Sequence, residues 1–255
     1  MTQVIKDRKI SGKKSIAISR RNKYKCLIKE IRKSKDFFLN LLQGKNLMYF
    51  KTELTKISKR SNLHIAKRSD LSSTQMENIL KITRDNMKIL YDENPWGDIW
   101  SRGWNDRLKM DELCHSLSNY IIIYEINTDN ATNTIMSTKC SSEISFHNDL
   151  PTDINILSFL SFRFELEDEF DSCNKHIVGY MYELQSLVKG KGYGKLLIDL
   201  LCFICNELQI YKIMCTVLRK NLDAVRFYTK KCGFVMDETS PENEPYIILS
   251  INTSK

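Results

Sequence analysis

Two stretches of this chain carry opposite hydrophobic periods, and between them they set its fold class. Along Ser161-Phe-Arg-Phe-Glu-Leu-Glu167 the apolar Phe162, Phe164 and Leu166 alternate with Arg163, Glu165 and Glu167, as in a strand with one apolar and one charged face. From Gly192 to Leu208, residues Leu196, Leu197, Leu200, Leu201, Ile204 and Leu208 recur at helical spacing, which predicts a helix buried against a sheet. Upstream, Leu63 to Arg68 reads as a first strand. Ser72 or Ser73 then caps a helix to about Tyr91, with Met76, Ile79, Leu80, Met87 and Leu90 inward. An aromatic segment broken by Pro and Gly, Tyr91 to Trp100, precedes a polar helix at about 102–117 and a strand from Tyr120 to Ile126. A further strand, His176 to Leu187, puts Tyr180 and Tyr182 on one face and Glu183 on the other if it is regular, and a bulge there re-aims Glu183. Strands alternating with helices in this order predict an α/β protein.

Charge divides the chain. The net +8 arises from 20 Lys/Arg against 5 Asp/Glu in residues 1–70 and 19 against 26 in the remainder, a basic arm on an acidic body. Three segments follow: a basic, disordered tail over 1–22, a helical extension over 23–60, and the main domain over 61–255 with a Ser/Thr/Asn-rich insertion at about 127–153. Within the extension, Leu27, Ile31, Phe38 and Leu42 lie near one helical face. Pairs such as Lys13-Lys14 and Arg20-Arg21 suit a ribosome, nucleic acid or importin, against a solvated tail without a partner. The 8 cysteines are scattered, and Cys202-Phe-Ile-Cys205 falls inside the predicted helix, so reduced thiols in a reducing compartment are expected, with no metal. No apolar run approaches the roughly 18 residues of a membrane span, and no hydrophobic signal core begins the chain.

The richest chemistry lies in Leu187-Val-Lys-Gly-Lys-Gly-Tyr-Gly-Lys195, where three glycines and three lysines join a strand to the apolar helix. Glycines let backbone N–H groups approach an anion, the helix start adds its partial positive charge, and the lysines add formal charge. The spacing is neither G-x-G-x-x-G nor the Walker pattern. As Lys189-x-x-Gly192-x-Gly194, it resembles the R/Q-x-x-G-x-G/A signature of the GCN5-related N-acetyltransferase (GNAT) superfamily, with Lys189 in place of the usual Arg or Gln. Asn221-Leu-Asp-Ala224-Val-Arg-Phe-Tyr228 resembles the N-x-x-A-x-x-x-Y pattern of the same superfamily, and Gly233-Phe234 follows after one residue more than is usual. The resemblance implies a mixed sheet of about seven strands, flanked by helices and splayed where acetyl-CoA lies. Leu184, Gln185, Ser186, Leu187, Lys189, Gly190, Lys191, Gly192, Tyr193, Gly194, Lys195, Asn221 and Tyr228 would hold that cosubstrate.

A narrower likeness rests on Asn86-Met-Lys-Ile-Leu-Tyr91, Trp96-Gly97, Phe162-Arg-Phe-Glu165, Tyr180-Met-Tyr-Glu183-Leu-Gln185, Ser240-Pro241 and Tyr246-x-Ile-Leu249. Over about Leu63 to Ile251 these resemble the NatD family, N-terminal α-amino acetyltransferases whose substrates are histone four and histone two-A. By that resemblance Tyr91, Trp96, Tyr180, Tyr182 and Tyr246 would line a peptide pocket, and Glu165 and Glu167 would receive the basic tail. Glu183 would be the base, with Tyr182 and Tyr228 as further catalytic groups. Glu165 stands where Asp is more usual and Tyr228 where Phe is found.

The chemistry is coherent without the name. An α-amine has a pKa near 8, so only modest base assistance from Glu183 is needed for attack on a thioester, and no cysteine nucleophile. A tail opening Ser-Gly-Arg-Gly needs a close aromatic wall and carboxylates for its arginine. Histone tails are therefore the expected partners, with ribosome or nucleic acid on the basic arm, for a monomer of cytoplasm and nucleus. A lysine or polyamine acetyltransferase on the same fold, or a non-catalytic RNA-binding or ribosome-binding protein, is the alternative.

Overall fold

The computed structural model describes residues 19–42, 45–97, 100–126, 150–151, 153–168 and 175–253. The expectations for residues 1–18 and nearly all of the insertion lie outside them. Helices α1 (19–33), α2 (Phe37–Leu41) and α3 (Lys45–Ile57) lead into β1 (Asn62–Lys67), α4 (Ser73–Glu93), α5 (Asp106–Leu113), β2 (Asn119–Ile126), β3 (Ile154–Asp168) and β4 (Lys175–Ser186). Then come α6 (Tyr193–Glu207), β5 (Lys212–Leu218), α7 (Leu222–Arg226), a wide π-turn (Phe227–Cys232), β6 (Val235–Met236) and β7 (Tyr246–Asn252). Residues 19–22, expected in the tail, are helical.

Seven strands form one open mixed sheet in the order β1-β2-β3-β4-β5-β7-β6, with β4–β5 parallel and every other pair antiparallel. Its faces are covered by different helices, as the strand periods require. On β2, Ile121 and Ile123 face a core built with α6, while Tyr120, Ile122 and Tyr124 face a second core under α4. The 23–60 extension is not an appendage. Ile31, Phe38, Leu42, Phe50 and Leu54 belong to the α6 core, and Phe38 meets Phe162 edge-on at 5.9 Å.

Local chemistry sets the ends of the helices. Ser72 and Gln75 form a reciprocal capping box at the start of α4. The predicted 102–117 helix shortens to Asp106–Leu113: Gly103 sits at φ +78°, Asp92 holds the Trp104 N–H at 2.8 Å, and Asn105 caps by accepting from Leu108 N–H. Past α7, the extra residue before Gly233 is absorbed by the π-turn, closed by Phe234 N–H to Tyr228 O at 3.0 Å. Among the described residues no helix is long and apolar enough to cross a membrane.

Asp237, buried at the end of β6, is held by Lys212 Nζ at 2.6 Å and by the Thr239 hydroxyl at 2.7 Å. Burial raises its pKa, but these donors outweigh that and bring the carboxyl down to about 2. The resulting stability is present above the unfolded value of 3.8 and fades as pH falls through about 2. Asp237→Asn is therefore expected to lower the thermal midpoint at pH 6, and the gap to wild type should close by about pH 2 in a calorimetric pH series.

Candidate active site

One extra residue in β4 builds the site. Ser161 pairs with Glu183 but Phe162 pairs with Met181, leaving Tyr182 as a bulge. A regular strand would point Glu183 with Met181 into the α6 core. The bulge instead sends Glu183 and Gln185 to the α4 and α5 side, where Asn86 Nδ2 donates to Gln185 Oε1 at 3.0 Å. β4 also leaves its parallel neighbour here. Only Gly179, Tyr180 and Met181 pair with β5, opposite Ile213, Met214 and Cys215, and beyond them the strands part. The gap opens into a cavity of about 1140 Å³.

The glycine turn closes one end of this cavity. Gly190 (φ +78°) and Gly192 (φ +93°, capping α6) lie in the left-handed region, and a Cβ on Gly194 would meet Phe227 at 3.1 Å. Lys189 and Lys191 are exposed, and Lys195 pairs with Asp199 one turn on. The first N–H groups of α6 have no intrahelical acceptor, so turn, helix start and lysines form a cradle whose shape and charge fit a diphosphate. Leu184, Gln185, Ser186 and Asn221 also line the cavity, the last while capping α7 through Ala224 N–H. Leu187 does not line the cavity, and its N–H is taken by Leu157 O at 2.8 Å; Val188 lines it instead. Tyr193 lines the cavity while packing its ring against the α6 core, its hydroxyl 3.4 Å from Ser61 Oγ.

At the other end stand the aromatic and acidic residues. Tyr91, Trp96, Glu165, Glu167, Tyr180 and Tyr182 line the cavity. Tyr246 does not: its ring backs Trp96 at 5.1 Å from a second layer. Arg163 is buried, stacked 3.9 Å from the Tyr182 ring centre and donating to Ser118 Oγ and Glu112 O. Tyr182 in turn donates to Glu165 at 3.2 Å. Tyr180 shares a 2.6 Å hydrogen bond with Thr216, and burial pushes its pKa up to about 12. Tyr228 is buried between Phe227 and Phe234, and that burial holds its hydroxyl protonated far above neutrality. Cys215 lines the cavity too, but burial drives its thiol up, which removes it as a nucleophile.

Sequence reasoning missed Lys109. Its ammonium lies 2.8 Å from Glu183 Oε1, 2.9 Å from Glu112 Oε1 and 3.1 Å from the Tyr91 hydroxyl, and 4.7 Å from the centre of the Trp100 ring. The Lys109 and Glu183 side chains are 1% and 5% exposed. Burial lowers a lysine pKa, but Glu183, then Tyr91 and Glu112, raise it well above the ordinary value, so Lys109 remains charged. Gln185 donates to Glu183 Oε2 at 2.9 Å, so both carboxylate oxygens are fixed.

Residues 140–234 match the model of the Acetyltransferase (GNAT) family. Similar solved structures include Arabidopsis thaliana NAA60 in complex with a bisubstrate analogue, at 12% identity over 75% of this chain and 98% of that chain, TM-score 0.47. A GNAT-family acetyltransferase from Staphylococcus aureus Mu50 shares 15% identity over 75% and 99%, TM-score 0.45. Spermidine/spermine N-acetyltransferase SpeG from Vibrio cholerae shares 14% over 78% and 96%, TM-score 0.41. The matched segment includes β3, β4, the glycine turn, α6 and the Asn221-led helix that together border the cavity.

In Gly192→Ala, a turn relaxed out of the left-handed region must be driven back on binding. Acetyl-CoA affinity, measured by titration calorimetry, should weaken by about tenfold; unchanged affinity would remove the turn from the binding site.

Proposed function

We propose that this protein is a GNAT acetyltransferase that uses acetyl-CoA to acetylate the α-amine of protein N-termini, with histone-type tails opening Ser-Gly-Arg-Gly as substrates. The observation that supports this reading is the continuity of one cavity: it runs from the glycine cradle to an aromatic chamber rimmed by Glu165 and Glu167, with Glu183 between them. An aromatic wall close to the gap suits a tiny first side chain, and the carboxylates suit the arginine that follows. The indole N–H of Trp96, buried without an acceptor among the described residues, would be satisfied by a substrate carbonyl.

Acetyl-CoA, when bound, supplies an acetyl group activated as a thioester. The chain's residues supply the rest. Glu183 keeps lone pairs free on both oxygens and takes the proton of the attacking amine, directly or through one water. Alternate N–H groups of β4 beyond Met181 face the gap and can donate to developing negative charge on the carbonyl oxygen. Tyr228, still protonated, can donate to the departing sulfur.

The same carboxylates would hold a polyamine, and one assay separates the readings. Incubation with acetyl-CoA, Ser-Gly-Arg-Gly peptides free or blocked at the amine, and spermidine should give one added acetyl on the free peptide's first nitrogen, located by fragmentation. Acetylation of an internal lysine or of spermidine alone would overturn the reading. Glu183→Gln should lower kcat by about 10²-fold with little change in acetyl-CoA affinity, and Glu165→Ala should mainly raise the peptide KM. Equal kcat for Glu183→Gln and wild type would remove the base.

A further inference from the structure

A base buried to this depth must also be reset. Each transfer that Glu183 assists leaves one proton on a side chain that is 5% exposed, in a cavity whose mouth is then filled by acetyl-CoA and the amine. Two hydrogen bonds lead away from this carboxylate. One goes to the Gln185 amide, which does not readily pass a proton on. The other goes to the Lys109 ammonium, whose remaining donors reach Tyr91 and Glu112. Tyr91 is a dead end: it is buried under Trp100 and Trp104, and burial holds its hydroxyl protonated. Glu112 is different. Its side chain lines the same cavity but is 26% exposed against 5% for Glu183, and its carboxylate ends the chain 2.9 Å from Lys109.

We propose that Lys109 and Glu112 form the exit path for the proton that Glu183 takes from the substrate amine. The inference rests on the acetyl-transfer reading above. Lys109 gives one proton to Glu112 Oε1 as it accepts one from Glu183 Oε1, so it ends as the same ammonium and Glu183 as the same carboxylate. Glu112 then releases its proton to bulk water. One N–H breaks and one O–H forms at the outer step, the reverse happens at the inner step, and nothing but the amine proton leaves. Burial shifts Glu112 toward the neutral form, with Glu183 adding to that and Lys109 opposing it, so its carboxylate accepts more readily than a surface one. Lys109 acts through Glu183 as a positioning residue. The Trp100 and Trp104 faces, 4.7 and 6.0 Å from its ammonium, hold it between the two carboxylates.

Glu112→Gln tests the path, because the amide oxygen still accepts from Lys109 but takes no proton. In rapid-mixing experiments with acetyl-CoA and the free-amine peptide, the variant should make its first acetyl product at nearly the wild-type rate, as a burst of about one per enzyme. Steady turnover should then be about tenfold slower or worse, recovering as imidazole is added to carry the proton instead. Acetyl-CoA affinity by calorimetry should stay within about threefold of wild type. Wild-type steady turnover in the variant, or a loss with neither burst nor imidazole rescue, overturns the exit path while leaving the acetyl-transfer reading intact. A wild-type protein that acetylates no amine sinks both.

Discussion

The single unmatched residue in β4, Tyr182, is the constraint on which the site depends. It reverses the facing of everything after it, turning Glu183 and Gln185 from the α6 core toward α4 and α5. It also coincides with the point where β4 and β5 cease to pair, so the same irregularity exposes a strand edge and aims a carboxylate beside it. Such an edge would normally be a liability, a row of unpaired N–H and C=O groups. Here it is enclosed in a cavity whose far end is the glycine turn, and a ligand that carries both a diphosphate and a reactive carbonyl fits that enclosure.

Turning a carboxylate inward has a cost, because an unpaired buried charge is destabilising by several kcal/mol. Lys109 offsets it within hydrogen-bonding distance, and the aromatic residues of α4 and the following loop hold Lys109 in turn. Replacing either partner with an apolar residue would strand the other, so the pair belongs to the fold as much as to the chemistry. Arg163 does similar work nearby, stacking on Tyr182 and tying β3 to α5 through the Glu112 carbonyl. Two buried cations thus organise an acidic chamber, and leave Glu165 and Glu167 on its wall.

Much of the scaffold was legible because its periods were unambiguous. The α6 spacing, the β3 alternation and the Ser72 cap each reflect one dominant interaction, and the elements formed where those patterns lay. The helix read at 102–117 overshot because a polar segment shows no end until Asn105 and Gly103 act as stops, which only the contact with Asp92 makes evident. The 23–60 segment looked separable on charge, yet its few apolar residues complete the α6 core. At the site, alternation alone places Glu183 on the wrong face, because a bulge leaves no mark on hydrophobic period. Lys109 was missed for a related reason. A lysine in a charged helix is ordinarily solvated, and its burial follows from Glu183 and Tyr91, 74 and 18 residues away along the chain. Tyr246 and Leu187 matched their motifs but lie one layer out or spend their N–H elsewhere.

Amide hydrogen exchange with and without acetyl-CoA tests the central claim most directly. If the parted edge of β4 and the glycine turn receive the cosubstrate, protection should appear in peptides spanning residues 183–195, with little change in β1 and β2 on the far side of the sheet. Saturating acetyl-CoA that leaves 183–195 exchanging as in the free protein would contradict the account.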